Sequence, residues 1–424
     1  MIFNLKRSFL SCVLCTVLLL QVAMPALAAD TNDNPQPDPV ATENPDNPGE
    51  LQLPVWNDQM VTVTLFSKHA IVLTWQPAEG AVAYQVYRND ISSEPVATVE
   101  ECTYKDSSIS LGNQYDYNIV PVAANGSLGQ AISATVNPHT IVKITKQKYS
   151  YHSLAEDCKE LANLYPDRCR VTSIGTTVKG RKLYDVAIGN PKAPKSFMVI
   201  CTLHAREYAC SVLAMRQIEY YLLNYNQSLN GMKPADALNN LQIHYIVMAN
   251  PDGVTISQTR HPRWKANSRG VDLNRNYPYH FKVSGRPGSE GFTGWKAGSE
   301  RETKAIMRFT NKLRKKQKLQ AVINYHAMGQ IIFGDYNGKD NKVKSETKDL
   351  YWMARGLTGY KSAASYGGSG AGNLREYLLY NAKIPNITIE IGHTFCPVSY
   401  SEYNSIFQKN KLVVLKAAWY YKNK

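Results

Sequence analysis

Four segments rich in aliphatic and aromatic residues most constrain the fold of this chain: residues 197–201, 241–247, 319–325 and 387–391. Such short apolar runs are typical of strands that are covered on both faces of a sheet. Helical patterns lie between them, as in residues 211–225, and Ser153-Leu-Ala-Glu156 and Ser299-Glu-Arg-Glu302 have the pattern of capping boxes that begin helices. The alternation predicts an α/β domain over residues 147–424 whose sheet is largely covered by helices.

The first 29 residues have the pattern of a secretory signal peptide. Lys6 and Arg7 precede the apolar run of residues 8–22, and Ala26-Leu-Ala28 offers small residues for cleavage near Ala28-Ala29. We therefore expect a secreted, extracellular protein with no transmembrane segment in its mature chain. Residues 30–50 are rich in Pro, Asn and Asp and predict a disordered linker.

The chain is basic, with 48 Lys and Arg against 34 Asp and Glu and a net charge of +14, which becomes +12 when Lys6 and Arg7 leave with the signal. Such charge favours an anionic partner. The basic residues are scattered and no nucleic-acid-binding signature is present, so we expect no nucleic acid. An anionic cell wall is a candidate partner. The alternative, and the more common meaning of net charge, is that the basic residues only keep the surface soluble.

Six cysteines remain after the signal: Cys102, Cys158, Cys169, Cys201, Cys210 and Cys396. An even number in an exported chain permits disulfides, and Cys158 with Cys169 is the favoured pair. Buried free thiols are the alternative. No Cys-x-x-Cys is present, so a zinc-thiolate module is not expected.

Residues 51–140 contain short alternating runs separated by turn residues, which predicts a small antiparallel sandwich. The segment resembles a fibronectin type III domain. The resemblance rests on Leu73-Thr-Trp75, on Tyr84-Gln-Val-Tyr87-Arg88, and on Leu111 followed by Tyr115 at tyrosine-corner spacing. It implies a spacer or binding module without chemistry of its own.

His204-Ala-Arg-Glu207 stands where an apolar strand ends and a helix is about to begin. The spacing lets an imidazole and a carboxylate reach one ion, and catalytic zinc takes three protein ligands plus a water. By itself His-x-x-Glu is a weak signal. His326 strengthens it, because this histidine ends another buried strand, and strand ends on one side of an α/β sheet are where such sheets build sites.

Five ordered motifs resemble the zinc metallocarboxypeptidase family of the carboxypeptidase A type: His204-Ala-Arg-Glu207, Asn250-Pro-Asp-Gly253, Gly270-Val-Asp-Leu-Asn-Arg-Asn276, Asn324-Tyr-His326 and Thr388-Ile-Glu390. The resemblance spans nearly all of residues 149–424. It implies an α/β/α fold with a mixed, mostly eight-stranded sheet. It also implies one zinc ion, held by His204, Glu207 and His326.

The resemblance also assigns substrate contacts. Asn274 and Arg275 match the pair that grips the free C-terminal carboxylate of the substrate, and a guanidinium fork suits that group. Arg206 matches a further peptide contact. Tyr366 matches the mobile tyrosine that closes over the substrate, although its distance to Glu390 needs a gap of two residues.

Glu390 matches the general base that deprotonates the zinc-activated water and then protonates the leaving amine. One position departs from the family, which commonly has Arg after the Trp where Lys265 follows Trp264. Lys265 is expected to stabilise the oxyanion, but without a bidentate fork. Arg263 and Arg269 are fallback candidates for that role.

Two features bear on the substrate. Trp264-Lys-Ala-Asn267 resembles bacterial family members that trim cell-wall peptides and remove diaminopimelate from D-glutamate. Arg375, counted back from Glu390 without a gap, falls where the family places the base of the pocket for the C-terminal side chain, which predicts a preference for acidic residues. The alternative is an Arg375 in solvent at an ordinary helix start.

We therefore predict a secreted zinc carboxypeptidase acting on a peptide, or on a peptidoglycan peptide, with a free C-terminal carboxylate. One alternative is a peptidoglycan stem-peptide endopeptidase, which Arg275 disfavours because a carboxylate clamp is useful only beside a free C-terminus. A second is a catalytically inactive wall-binding protein, which the joint presence of His204, Glu207, His326 and Glu390 disfavours.

Overall fold

The computed structural model of the chain describes residues 53–424 apart from residues 68, 112, 143–147, 288, 290, 364–370 and 394. The predicted signal peptide and linker, residues 1–50, lie outside the described residues, and so does Tyr366. No helix among the described residues is both long and apolar enough to cross a membrane.

The N-terminal part of the described chain is built only of strands. They are β1 (Val55–Trp56), β2 (Thr62–Ser67), β3 (Ala70–Thr74), β4 (Ala78–Glu79), β5 (Ala81–Arg88), β6 (Ala97–Val99), β7 (Thr103–Asp106), β8 (Tyr115–Ala123) and β9 (Ile132–Val136). Antiparallel sheets of order β2-β3-β7 and β6-β5-β8-β9 form, with β1 paired to β4. Trp56 and Trp75 both contact the ring of Tyr84 between them. The small β region with antiparallel sheets is therefore confirmed.

The chain leaving this β region is fixed to the second part of the molecule by one carboxylate. Glu219, buried on a helix, accepts hydrogen bonds from the backbone N–H groups of Ile141 and Val142. Both parts contribute to a single hydrophobic core, and together they form one compact unit. The β region is therefore packed against the α/β part.

An eight-stranded sheet forms the centre of the α/β part. Its strands are β10 (Cys169–Thr176), β11 (Lys182–Ile188), β12 (Lys195–Cys201), β13 (Leu241–Ile246), β14 (Leu319–Ala327), β15 (Ile331–Phe333), β16 (Lys361–Ser362) and β17 (Asn386–Ile391). Their order is β10-β11-β13-β12-β14-β17-β15-β16. Strands β13, β12, β14 and β17 run parallel in the middle, while β10, β11 and the β15–β17 pairing are antiparallel. This confirms the predicted mixed sheet, and the four parallel strands are the four apolar segments of the sequence.

Helices complete the fold: α1 (Tyr151–Leu164), α2 (Ala209–Leu223), α3 (Pro234–Leu238), α4 (Pro251–Thr259), α5 (Arg301–Gln317), α6 (Asn341–Thr358), α7 (Leu374–Glu376), α8 (Tyr403–Asn410) and α9 (Val413–Tyr421). Single turns are present at Leu273–Arg275, Tyr377–Asn381 and Tyr400–Glu402. Almost every residue of β12, β13, β14 and β17 is buried, as their mostly apolar sequences predict.

Both predicted capping boxes are wrong. Helix α1 is capped by Ser150, whose hydroxyl accepts from the N–H of Ser153 at 3.1 Å, so Ser153 lies within the first turn. Helix α5 is capped by Glu300 without a side-chain bond to the helix, because the Ser299 hydroxyl donates to the Glu300 carboxylate instead. Tertiary contacts therefore take the groups that the local pattern assigned to capping.

The favoured disulfide is also wrong, because all six cysteines of the described chain are free thiols. Cys158 faces the core, where its sulfur lies 4.0 Å from the sulfur of Met215 on α2. Burial, with Asp185 nearby, raises the pKa of Cys169 to about 12, and burial raises that of Cys158 as well. Both residues act as small apolar groups in the core.

Candidate metal centre and substrate cleft

The carboxyl ends of the three central parallel strands bring the chemistry together. Cys201, the last residue of β12, is paired with Tyr325 of β14, and the next residue of β14, His326, is paired with Glu390 of β17. His204 and Glu207 lie in the loop that leaves β12. The topology therefore places all four predicted residues at one edge of the sheet.

His204, Glu207 and His326 converge to form the His–Glu–His group. The Nδ1 of His204 lies 2.7 Å from one oxygen of Glu207, and the Nδ1 of His326 lies 2.8 Å from the other. The two Nδ1 atoms are 3.2 Å apart. All three residues are buried, and one ligand atom from each lies within 4.8 Å of the others. Two imidazoles and a carboxylate in this arrangement fit a zinc ion.

The charges in the group agree with a cation site. Burial alone would raise the pKa of Glu207, but the charges and hydrogen bonds of His204 and His326 outweigh it and hold that pKa well below its usual range. Burial alone would lower the pKa of His204, yet Glu207 and Asp272 raise it. Protons and metal therefore compete for these nitrogen atoms, since a ligating imidazole must be neutral.

A network around Asn250 fixes the loop that carries His204 and Glu207. The amide nitrogen of Asn250 donates to the backbone oxygens of Leu203 and Ala266, and the N–H of Ala205 donates to the backbone oxygen of Lys265. Gly253 is required beside it, because a Cβ there would lie 2.4 Å from the Ala266 oxygen. The Asn250-Pro-Asp-Gly253 motif thus joins the ligand loop to the loop of Lys265.

Asp272 is the residue that the sequence reasoning missed. One of its oxygens lies 3.1 Å from the Nε2 of His204, and the other lies 2.9 Å from the ammonium of Lys265. Burial alone would raise the pKa of Asp272, but His204 and Lys265 hold it well below the usual range. An acid behind a ligating histidine fixes the ring and its tautomer. The signal that could have pointed to Asp272 is its place inside Gly270-Val-Asp-Leu-Asn-Arg-Asn276, the motif that also contains Asn274 and Arg275.

Asn274 and Arg275 lie together on the turn that Asp272 begins. The side-chain oxygen of Asn274 accepts from the N–H of Leu374 at 3.0 Å, which leaves its amide N–H₂ group to donate. Arg275 donates to the backbone oxygen of Asn274 at 2.7 Å. Gly372 allows the contact between Asn274 and Leu374. Its φ is 72°, and a Cβ at this position would lie 2.3 Å from the backbone oxygen of Arg275.

An open cleft of about 480 Å³ contains most of the predicted site. It is lined by charged and polar residues and by a few apolar ones: His204, Arg206, Glu207, Lys265, Asn274, Arg275, Ala327, Met328, Ile331, Phe333, Asn373, Arg375, Glu376, Thr388 and Glu390. The structure thus brings together every predicted site residue in the described chain, since His326, which is buried, contacts Glu207 of the lining.

Arg263 and Arg269, the fallback candidates for stabilising the oxyanion, are not among the described residues that line the cleft. Arg263 is exposed, and Arg269 is directed to Glu300, 3.5 Å from its Nε. Of these three basic residues, Lys265 is the one that lines the cleft. Its ammonium is paired with Asp272, so it is held in place by the same acid that contacts His204.

Glu390 lies at the end of β17 beside His326. Burial raises the pKa of its carboxyl to about 8, although His326 and Lys265 act to lower it. Positive charge held by the neighbouring His–Glu–His group would favour its ionised form again. A carboxyl in such a place can hold or release a proton near neutral pH.

Arg375 is not an exposed residue of a helix start. It lies on α7, lines the cleft, and donates from Nη2 to the backbone oxygen of Asp335. Its buried Nε has no hydrogen-bond partner among the described residues. The guanidinium is therefore anchored through Nη2 at the wall of the cleft.

The family model of zinc carboxypeptidases (peptidase M14) matches residues 154–404, well over half of the chain. That span contains the His–Glu–His group and every predicted residue of the cleft. The chain belongs to the zinc carboxypeptidase family. It is accordingly a metallopeptidase, a hydrolase whose cofactor is zinc, and its His–Glu–His group is the cluster of described residues fit to hold that ion.

Known proteins similar to this zinc carboxypeptidase fall into two groups by name. γ-D-Glutamyl-L-diamino acid endopeptidase 1 of Lysinibacillus sphaericus is 25% identical over 294 residues, covering 62% of this chain and 70% of that protein. Metallocarboxypeptidase A of Trichophyton rubrum is 24% identical over 250 residues, covering 56% of this chain and 55% of the fungal protein. This chain thus matches only a little over half of the fungal relative's length.

A solved structure supports the fold. The crystal structure of thrombin activatable fibrinolysis inhibitor superposes with a TM-score of 0.58 at 17% identity, covering 67% of this chain and 77% of that one. The carboxypeptidase-like α/β fold with a mixed eight-stranded sheet is therefore confirmed.

Proposed function

We propose that this protein is an exported carboxypeptidase that hydrolyses the last bond before a free C-terminal carboxylate, in a peptide or in a γ-D-glutamyl-diaminopimelate unit. One observation carries the proposal. Asn274 and Arg275 line the same cleft as His204, Glu207 and Glu390. A fork of donors beside the hydrolytic group suits a substrate that ends in a carboxylate.

The residues of the chain divide the reaction between them. When bound by His204, Glu207 and His326, zinc supplies a Lewis acid that polarises the scissile carbonyl and acidifies water. Arg275 and Asn274 hold the terminal carboxylate, which fixes the scissile bond above Glu390. Glu390 takes the proton of the attacking water and delivers it to the leaving amine.

Lys265 supplies positive charge to the oxyanion that forms at the carbonyl. Its ammonium lies 2.9 Å from Asp272, which limits its freedom, and the carboxylate of Asp272 offsets part of its positive field. As a point charge it lacks the paired donors of an arginine. Arg206, at the same cleft, adds a further contact for the peptide, and Tyr366 would close over the substrate from the segment outside the described residues.

The β region would serve as a spacer of the fibronectin type III kind. The hydroxyl of Tyr115 accepts from the backbone N–H of Ser110 at 2.8 Å, a contact from a strand back to the preceding loop as in a tyrosine corner. Export through the N-terminal signal would place the basic chain near an anionic cell wall. These assignments support a substrate outside the cell.

The name of the Lysinibacillus relative favours one alternative, an endopeptidase on γ-D-glutamyl-diamino acid bonds. The two activities differ in what they require after the scissile bond. A carboxypeptidase needs the free carboxylate that Arg275 would bind, whereas an endopeptidase tolerates its loss.

Paired peptides that differ only in a free or amidated C-terminus separate these activities. With the zinc-loaded mature protein we expect kcat/KM for cleavage of the last bond to be about 100-fold higher for the free acid than for the amide. A factor of this size corresponds to the loss of one charge-assisted contact. Mass spectrometry of the products gives the bond, and a chelator should abolish both reactions. Equal cleavage of both peptides would refute the exopeptidase.

Arg375 should set the preference for the last side chain. We expect peptides that end in glutamate, aspartate or diaminopimelate to give higher kcat/KM than those that end in phenylalanine or lysine, because the positive charge of Arg375, which lines the cleft, attracts a carboxylate and repels an ammonium.

The matched test is Arg375→Asp, which should reverse the order of glutamate and lysine by about tenfold or more in kcat/KM. The control is Arg263→Ala, because Arg263 is exposed and is not among the described residues that line the cleft. An unchanged ranking in Arg375→Asp would contradict the role.

A further inference from the structure

Helix α5 carries a high density of positive charge. Of its seventeen residues, seven are basic and one is acidic. The acid, Glu302, is buried on the side of the helix that packs against the sheet, together with Ile306, Phe309 and Leu313. The basic side chains therefore remain on the solvent side without an acid of the same helix to balance them.

Five of these basic residues form one line along the helix, which we call the basic stripe. They follow one another at intervals of three or four residues, which places them on one face, and all are exposed: Arg301, Lys304, Arg308, Lys312 and Lys315. At a rise of about 1.5 Å per residue, the stripe is about 21 Å long and its charges are about 5 Å apart.

The basic stripe has no partner of opposite charge. None of its residues forms an ion pair with an acid in the part of the chain that the structure describes. Arg301 donates instead to the backbone oxygen of Thr177 at 3.4 Å, and the ammonium of Lys312 lies 5.9 Å from the centre of the Phe309 ring. Like charges three or four residues apart destabilise a helix. The stripe thus works against the stability of α5 and leaves its charge available to an outside partner.

Neighbouring charges of the basic stripe reinforce one another. They lie about 5 Å apart, which is less than the Debye length of about 8 Å at physiological ionic strength. Their fields therefore add along the helix. A surface that only keeps a protein soluble does not need such a line, because scattered charges of both signs serve that purpose.

The shape and composition of the basic stripe favour a linear polymer with regularly spaced anionic groups. A membrane surface is disfavoured, because Ile306, Phe309 and Leu313 are buried in the protein and cannot enter a bilayer. A nucleic acid is disfavoured because no exposed residue of α5 is aromatic, so the face has no side chain on which a base could stack. A polymer of phosphodiester units has the charge and the form that remain.

We propose that the basic stripe of α5 binds a linear phosphodiester polymer of the cell wall. This surface goes beyond the proposed reaction and rests only on the proposed export. No residue of α5 is among the described residues that line the cleft, so polymer binding and hydrolysis use different side chains. Ser299, two residues before the stripe, accepts from the side-chain amide of Asn276 at 2.9 Å, next to Arg275. The Arg301 end of the stripe is therefore the end nearer to the site.

Neutralising the basic stripe tests the proposal. The variant combines Lys304→Gln, Arg308→Gln, Lys312→Gln and Lys315→Gln, and glutamine suits a helix while the like-charge repulsion is removed. The probe is a labelled, lipid-free poly(glycerol phosphate) chain, and its Kd is measured by fluorescence anisotropy at several salt concentrations. We expect the variant to bind about 100-fold more weakly at low salt, with a salt dependence of log Kd shallower by about three to four, one for each lost phosphate contact.

The matched control removes the same number and kind of charges from four separate places. It combines changes to glutamine at four exposed residues outside the described cleft lining: Lys192, Arg260, Lys348 and Lys416. Its Kd should rise by no more than about threefold, because screened charges far from the polymer contribute little. If the fourfold stripe variant does not fold, Arg308→Gln with Lys312→Gln should weaken binding about tenfold.

Three results would overturn the proposal. The first is a wild-type Kd in the stripe variant. The second is an equal loss in the stripe variant and its control, which would make binding a matter of net charge alone. The third is tighter binding of wild-type protein to duplex DNA of the same number of charges, or to vesicles with anionic phospholipid, than to poly(glycerol phosphate).

Hydrolysis gives a separate measurement. Both fourfold variants should keep the wild-type kcat/KM on a small free-acid peptide, because none of the changed residues lines the described cleft. Loss of that activity in the stripe variant alone would show that α5 supports the cleft rather than a separate surface. Binding is measured without turnover, so a protein that cleaves no peptide would refute the carboxypeptidase and leave the test of the stripe intact.

Discussion

Glu390→Gln is expected to lower kcat by about 10²–10⁴-fold while the protein keeps its zinc. The change removes the group that accepts and returns the proton but leaves His204, Glu207 and His326 in place. Glutamine has nearly the same size and fits the end of β17, where Glu390 is paired with His326. The measurement is single-turnover hydrolysis of a free-acid peptide, together with metal analysis of the purified variant.

Glu207→Gln is the matched control, because it is also a Glu to Gln change in the cleft. Glu207 lies 2.7 Å and 2.8 Å from the ring nitrogens of the two histidines, so its loss should release zinc as well as activity. Glu390→Gln should unfold near the wild-type temperature, whereas the loss of bound zinc should lower the unfolding temperature of Glu207→Gln. Zinc-free Glu390→Gln, or Glu390→Gln that turns over normally, would show that Glu390 is not the base.

The sequence predicts the centre of the fold because the physical signal there is local. The runs at residues 197–201, 241–247, 319–325 and 387–391 are mostly apolar, and all become central strands. Strands buried on both faces must be apolar whatever their neighbours are. His204 and His326 could be singled out for the same reason, since each follows one of these runs, whereas Glu390 was assigned from the family resemblance.

What the sequence did not predict depends on contacts between distant segments. Ser150, not Ser153, caps α1. The local capping pattern does not say which of the two serines precedes the first turn of the helix. Asp272 reaches His204 over 68 residues of chain, and no spacing rule links the two. Cys158 and Cys169 are close in sequence, yet the Cys158 side chain packs against α2. Each error concerns tertiary placement rather than residue type.

The position of Arg375 was predicted by counting residues back from Glu390 without a gap. The interval from Arg375 to Glu390 contains α7, the turn at Tyr377–Asn381 and β17, and it lies wholly within the described residues. The ungapped count placed Arg375 at the cleft, and the structure has it there. The count for Tyr366 begins in residues 364–370, and that prediction stays untested.

Arg275→Ala is expected to lower kcat/KM on free-acid peptides by about 100-fold, the loss of a bidentate charge-assisted contact, and to leave cleavage of the amidated peptide almost unchanged. The ratio between the two peptides should therefore fall toward one. Folding should be preserved, because the side chain of Arg275 contacts the backbone oxygen of Asn274 at the cleft and is not part of the core. Arg263→Ala, an exposed arginine outside the described lining of the cleft, should keep the wild-type ratio. If Arg275→Ala also kept that ratio, the clamp would have to be formed by other residues, and the case for an enzyme acting at a free C-terminus would lose its main support.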